Sequence, residues 1–363
     1  MSASPRWPAT AEPSSPPRDG SPDGRSITGT RTPIISAQGV SIEYRVSRGQ
    51  RLRAVHKVTL AVTQGETLGI VGESGSGKSS LARGLLCLVP LAEGKVEIDG
   101  RSFSGIPERE RRQLRSRAQM IFQDSAGSLH PNRSVGSLLA EPLKVHRRSE
   151  GHYRAVVEQL LTSVGLGPEY AYAHPTELSG GQRQRVNIAR ALAVAPDVIV
   201  ADEPTSSLDV SIQAQILNLL LDLQAERQLA YVFITHDLAV VQHMSHRVAV
   251  MYGGVVMEVG PADAVTTEPR HPYTRSLASA ALAASRDPAA DLAPASSDNP
   301  TAVEGPTQAA LLACRFAQCC PFTAPRCWTE TPRLREVETD HFVACHLSEE
   351  LPRAGYYVET NQR

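Results

Sequence analysis

Three short runs with little polar interruption stand out along the chain: Thr67–Val71, Val198–Ala201 and Tyr231–Thr235. Their length and lack of alternation suit strands buried on both faces, the pattern of a parallel sheet covered by helices. Each is followed by polar residues and then by a helical pattern. Between the second and third runs, Ile212, Ile216, Leu219, Leu220 and Leu223 recur with the spacing of one apolar helix face. Strands alternating with helices predict an α/β fold with a mostly parallel core sheet. In such sheets ligands sit at the carboxyl ends of the strands.

The same patterning divides the chain. Residues 1–33 are crowded with Pro, Ser and Gly and read as a disordered tail. Residues 284–308, rich in Ala, Pro, Asp and Ser, read as a flexible linker. The body between them, 34–283, carries the α/β punctuation. A small cysteine-containing module over 309–350 and a short tail, 351–363, close the chain. The best candidate for a membrane span, Leu277–Ala284, is short, Ala/Ser-rich and far below the roughly 18 apolar residues a bilayer requires.

Composition narrows the classes. With 37 Lys and Arg against 38 Asp and Glu, the net charge of −1 lacks the basic excess of a nucleic-acid binder, so no nucleic-acid partner is expected. A hydrophobic share of 41% supports a sizeable core. The N-terminus has no apolar stretch of the signal-peptide kind. A cytosolic setting follows, and there six cysteines are expected to be free, metal-bound or redox-active rather than disulfide-bonded.

The first strand runs into Gly72, Glu73, Ser74, Gly75, Ser76, Gly77, Lys78 and Ser79, which fit GxxxxGK[ST], with a helical stretch opening at Ser79 and Ser80. Glycines there let backbone N–H groups curl around phosphate oxygens at a helix N-terminus. Lys78 reaches β- and γ-phosphates, and Ser79 offers its hydroxyl to Mg²⁺. The second run ends on Asp202 and Glu203. An acid there suits the Mg²⁺ shell, and its neighbour suits activation of an attacking water. The chemistry implied is phosphoryl transfer from a Mg-nucleotide to water.

Further motifs carry a resemblance. Leu178, Ser179, Gly180, Gly181 and Gln182 read LSGGQ, and this run resembles the signature of ABC ATPases. Gln123 in MIFQDSAGSL resembles that family's Q-loop glutamine; Ser206, Ser207, Leu208 and Asp209 resemble its D-loop; His236 in ITHD resembles its switch histidine. Tyr44 matches the aromatic that stacks on adenine. The resemblance implies a P-loop NTPase with a parallel core sheet, an antiparallel β subdomain and a helical signature subdomain. It implies ATP as ligand, with Mg²⁺ held by Ser79, Gln123 and Asp202, and Glu203, His236 and Lys78 in the catalytic roles. Ser179, Gly180 and Gly181 open a helix, a second anion cradle on one chain. In ABC proteins that cradle faces the ATP of a second ATPase subunit, identical or related, across a head-to-tail dimer.

The stretches GETLGIVGESGSGKSSLARGLL, MYGGVVMEVGPADAV and HPYTRSLASA resemble one branch, the ATP-binding subunits of oligopeptide, dipeptide and nickel importers. That branch implies docking on two transmembrane permease subunits, at the cytoplasmic side of the membrane, with an extracytoplasmic solute-binding protein. Where it commonly reads SLNPR, this chain has SLHPN, in a loop region that touches the permease in such transporters. Peptides are the leading cargo, and nickel or another small solute is the alternative. Soluble ABC ATPases of translation or DNA repair form the competing class. They carry two cassettes or long insertions, whereas this chain has one motif set.

Cys314, Cys320, Cys327 and Cys345 close the chain, with Cys319 adjacent and Cys87 far away. Four thiolates suit tetrahedral zinc or an iron–sulfur cluster, and unliganded thiols are the third reading. The spacing lacks the CxxC pairs usual in zinc ribbons. The segment resembles the C-terminal extension of peptide-importer ATPases, which implies a [4Fe–4S] cluster on these four cysteines. His341 and His346 could ligate instead, but are expected at the surface.

Overall fold

The computed structural model describes residues 32–46, 51–125, 127–146, 151–206, 208–286 and 313–351. Residues 1–31 of the expected N-terminal tail, nearly all of the expected linker and of the C-terminal tail, and Ser207 lie outside them, while Pro33, expected to close that tail, already begins the first strand.

Two sheets form the body. The smaller is antiparallel, in the order β2 (Arg51–Thr63), β1 (Pro33–Arg45), β4 (Glu93–Ile98) and β5 (Arg101–Ser102). The larger has eight strands, and five of them are parallel neighbours. These are β9 (Arg247–Tyr252), β3 (Thr67–Val71), β8 (Ala230–Thr235), β7 (Val198–Asp202) and β6 (Ala118–Ile121). The three apolar runs of the sequence are β3, β7 and β8, and every residue in them is buried.

Their pleat explains why both faces are apolar. Successive side chains point to opposite faces of a strand. Leu68, Ile70, Val198, Val200, Val232 and Ile234 enter one core with the antiparallel sheet and α1 (Lys78–Leu85). Ile199, Ala201, Tyr231 and Phe233 enter a second core under the helices. Those helices are α3 (Val135–Val145), α4 (Tyr153–Ser163), α5 (Gly180–Leu192) and α6 (Val210–Arg227), while α2 (Glu108–Arg115) flanks β6. On α6 the expected stripe holds at Ile216, Leu220 and Leu223, but Leu217 and Gln224 are buried too, and Ile212 and Leu219 are only half-buried. Gln224 is tolerated there because its amide donates to Thr67 Oγ1 and to the carbonyls of Gly65 and Leu229.

The chain beyond β9 turns back as β10 (Val255–Pro261), followed by α7's neighbours in space, α8 (Ala262–Thr267) and α9 (Pro272–Arg286); α7 itself is Leu238–Met244. Helix α9 continues through Arg286, past the boundary expected at 283. It contains Leu277–Ala284, and among the described residues no helix is long and apolar enough to cross a membrane. The cysteine module docks on the same sheet. Its β11 (Arg335–Glu338) and β12 (His341–Val343) extend the order as β11-β12-β10, all antiparallel, with Glu258 opposite Val343 and Val259 opposite Phe342.

One carboxylate fastens this extension. Glu258 on β10 is fully buried and accepts from the backbone N–H groups of Arg270 (2.7 Å) and His271 (2.9 Å). The His341 ring nitrogen Nε2 lies 2.7 Å from Oε1, the oxygen that also accepts from Arg270. His341 is therefore not at the surface as expected. At 1% exposure it is buried, because its ring supplies a partner to a carboxylate that has no water. His346 is half-buried, its ring 3.0 Å from the Glu330 carbonyl. Replacing Glu258 by Ala strands three buried donors at about 1–3 kcal/mol each, so E258A should lose about 3 kcal/mol or more. Urea unfolding of the variant beside the parent protein checks this.

Candidate active site

Strand β3 ends at Val71, and the chain must turn at once through a crowded loop into α1. A side chain on Gly72 would collide with the Met251 carbonyl of β9. Gly77 takes a left-handed φ of +97° at the cap of α1, and a side chain there would strike the Ala54 carbonyl of β2. No side chain caps the N-terminus of α1, which leaves its first turn to bind an anion.

Lys78 lies in the floor of this loop, 5% exposed, with Nζ donating to the carbonyls of Gly72 (2.6 Å) and Glu73 (2.7 Å) and, at 3.4 Å, to Ser76 Oγ. Burial pulls its pKa down, while Glu203, Asp202 and Glu73 pull it up. Ser74, Gly75 and Ser80 complete the loop and the entry to α1. Ser79 Oγ donates to Asp202 Oδ1 at 2.9 Å. Asp202 is the last residue of β7 and 2% exposed, and burial raises its carboxyl pKa against the Ser79 hydrogen bond. A hydroxyl and a carboxylate side by side, next to a phosphate loop, form the hard oxygen set that Mg²⁺ accepts, with the remaining positions left to phosphates and water.

Glu203 follows directly but faces elsewhere. Its backbone adopts a left-handed φ of +44° while its N–H stays bonded to the Ile234 carbonyl of β8 at 3.0 Å. The kink separates two adjacent acids. Asp202 faces Ser79, whereas Glu203 accepts from Gln123 Nε2 at 2.9 Å and stands 3.4 Å from His236 Nδ1. Gln123 and the His236 side chain are exposed, the latter at 61%. Residues from β3, β6, β7 and β8 thus meet at one sheet edge.

The other expected residues lie apart from this cluster. Ser179 caps α5: its Oγ accepts from Gln182 N and its N–H donates to Gln182 Oε1 (2.9 Å), a capping box. Leu178 is buried, Gly181 packs against Ile212 and Gly180 against Leu208, and Gln182 donates to the Tyr170 hydroxyl. Ser206 returns to the Glu203 carbonyl, Leu208 N–H to Thr205, and Asp209 caps α6 without a side-chain bond. Tyr44 sits on β1 opposite Leu52, half-buried against the core beneath the antiparallel sheet.

Among the described residues no group of three or more His, Cys, Asp or Glu is arranged to hold a metal ion. The cysteine module is included in that statement, so its geometry lends the cluster expectation no support. Its thiols are nevertheless neighbours. Burial first, and mutual proximity after it, raise the pKa of Cys314, Cys320 and Cys345, the last to about 11. Cys87 is far off on the loop after α1, its thiol also raised by burial. One contact that motif reading missed comes from the HPYT run: the Tyr273 hydroxyl accepts from the Glu73 N–H at 3.0 Å. No local signal announces a partner 200 positions away.

Residues 55–206 match the family "ABC transporter", and 257–327 match "Oligopeptide/dipeptide transporter, C-terminal region". The chain is 43% identical over 324 residues to the di/tripeptide transport ATP-binding protein DppF of Pseudomonas aeruginosa, covering 88% of this chain and 98% of that one. The chain belongs to the ABC transporter family. It is an ATPase of that type, and its P-loop fold is theirs. It is also 45% identical over 308 residues to y4tS of Sinorhizobium fredii, a probable peptide ABC transporter ATP-binding protein, over 85% of each chain. The ATP-binding cassette MJ0796, solved as a post-hydrolysis dimer with ADP and Pi, superimposes with a TM-score of 0.58 at 31% identity, over 63% of this chain and 99% of that one. The cbiO1 subunit of Clostridium perfringens, part of the cbiONQ complex, gives 0.58 at 25% identity over 70% and 96%. For this ABC ATPase the loop geometry makes a direct demand. Gly77→Ala must force both φ and the Ala54 contact, so MgATP affinity should fall at least about tenfold, the scale of ~1.4 kcal/mol, in an equilibrium nucleotide titration.

Proposed function

We propose that this ABC ATPase energises the import of di- and oligopeptides through a membrane permease, hydrolysing MgATP at the edge of its parallel sheet. The observation that carries the hydrolysis is the meeting of Gln123, Glu203 and His236 at the strand ends that also hold the Ser79–Asp202 pair. Backbone N–H groups of Gly75–Ser80 and the Lys78 ammonium hold the β- and γ-phosphates. Ser79, Asp202 and Gln123 would hold Mg²⁺, which would supply charge neutralisation at the phosphate oxygens. Glu203 accepts a proton from the attacking water, Gln123 orients that carboxylate, and His236 steadies the γ-phosphate. Tyr44 stacks on the adenine.

A second ATPase subunit completes each site. Leu178, Ser179, Gly180, Gly181 and Gln182 face the partner's ATP, and Ser206, Ser207, Leu208 and Asp209 line the same junction. ATP touching both halves closes the dimer, and its hydrolysis removes the contact that held it shut. The exposed cap of α5 supports this: Ser179 stands at the helix N-terminus, open to solvent. Two transmembrane permease subunits receive the motion at the cytoplasmic face of the membrane, and an extracytoplasmic binding protein delivers cargo. The peptide assignment rests on the match of 257–327 and on relatives described as peptide transport proteins. For the module, a [4Fe–4S] cluster on Cys314, Cys320, Cys327 and Cys345 rests on the resemblance of the cysteine pattern alone.

Glu203→Gln removes the proton acceptor and keeps the shape. Turnover should drop about 10²–10⁴-fold with MgATP binding retained, and near-wild-type turnover would reject the role. Mass spectrometry of the tagged protein, drawn gently from native membranes, should recover two multi-span permeases and a peptide-binding protein. Recovery of ribosomes or repair proteins instead would remove the importer reading. Iron and acid-labile sulfide in the same preparation, kept anaerobic, would accompany a cluster; zinc or bare thiols would reject it.

A further inference from the structure

The Gly72–Glu73 peptide is held from both sides. Its carbonyl accepts from Lys78 Nζ at 2.6 Å, and its N–H donates to the Tyr273 hydroxyl at 3.0 Å. A trans peptide aims these two groups in opposite directions. Fixing the N–H therefore fixes where the Gly72 carbonyl points.

Tyr273 is itself unable to drift. It is 1% exposed, in the first turn of α9. Its ring centroid lies 4.6 Å from that of Tyr252 and 5.4 Å from that of Phe316, which meets Tyr252 edge-on at 5.3 Å. Its backbone N–H donates to His271 Nδ1, and the His271 N–H is taken by the buried Glu258. Packing alone asks only for a ring, since Val71, Met257 and Val265 form an apolar surround. The hydroxyl carries a desolvation cost in such a place unless it is bonded, and its partner is the phosphate loop.

We infer that Tyr273 is a positioning residue for ATP binding: its hydroxyl orients the Gly72–Glu73 peptide so that the Gly72 carbonyl seats the Lys78 ammonium under the phosphates. Tyr273 acts through the loop backbone, at the Glu73 N–H. The inference rests on Gly72–Ser79 being the phosphate loop. It also gives the cysteine module a structural stake in that loop, because Phe316, two residues after Cys314, walls the ring in.

The test uses the full-length protein, with MgATP affinity from equilibrium titration, steady-state ATPase rates and thermal unfolding. Tyr273→Phe keeps the ring and deletes the bond. Its Kd and KM for MgATP should rise about three- to tenfold, the worth of one hydrogen bond, while kcat at saturating nucleotide stays within about twofold. Val265→Ala, in the same core but remote from the loop's hydrogen bonds, should lower the unfolding temperature and leave MgATP affinity unchanged. A folded Y273F protein with parental Kd would overturn the inference. So would a V265A protein whose Kd rises as much, since the effect would then be general loosening. Lys78→Ala separates the two levels: parental affinity in K78A would sink the phosphate-loop reading itself, whereas weakened K78A beside unchanged Y273F would sink Tyr273 alone.

Discussion

In-register parallel pairing of β3, β8 and β7 is the constraint from which the site follows. Val71 lies opposite Thr235, and Ile234 opposite Asp202. Neighbouring strands are about 4.8 Å apart, so the residues that leave their carboxyl ends emerge together. The phosphate loop, the acid pair and His236 each stand at the carboxyl end of one of these strands. A slip of one register position would turn every buried Val and Ile of β7 toward the wrong core. The packing that fixes the sheet therefore also fixes the spacing of Ser79, Asp202, Glu203 and His236.

The same sheet explains how the end of the chain bears on its beginning. β12 pairs with β10, and β10 pairs with β9, whose Met251 carbonyl presses on Gly72. Glu258 needs all three of its partners, because a buried carboxylate without them is costly. Those partners come from the start of α9 and from the cysteine module, so the docking of either depends on the other. The aromatic group of Tyr252, Tyr273 and Phe316 fills the remaining space between the module and the loop.

Much of this was legible in the sequence, for local reasons. The three buried strands announced themselves by unbroken apolar runs, and GxxxxGKS by a spacing that only a strand–loop–helix turn uses. Helix α6 was read correctly in kind but rotated in detail, since a buried Gln224 is invisible to an apolar stripe and depends on carbonyls from two other segments. His341 looked like a surface residue for the same reason: its partner, Glu258, is 83 positions away, and nothing beside either residue marks the pair. Tyr273 carried a motif without a role until the Glu73 N–H was seen against its hydroxyl. Cysteine spacing suggested donors, but spacing cannot state how sulfurs are directed.

One further link joins the two halves of the site that a single chain carries. Asn187, in the middle of α5 and 3% exposed, donates to the Ser125 carbonyl at 3.1 Å and accepts from Ser128 Oγ at 2.8 Å. Arg190, one turn on, donates to the Ser128 carbonyl. A buried amide that gave up these partners would be left unsatisfied, so the segment after Gln123 and helix α5 are constrained to move as one body. Gln123 touches Glu203 at one end of that body, and Ser179 caps the other. The same body thus carries the Gln123 contact to Glu203 and the signature end of α5, the end proposed to face the partner's nucleotide. Leu129 adds an apolar contact, since it is buried in the same core as Val186 and Ile188 of α5, so loop and helix are joined by packing as well as by directional hydrogen bonds.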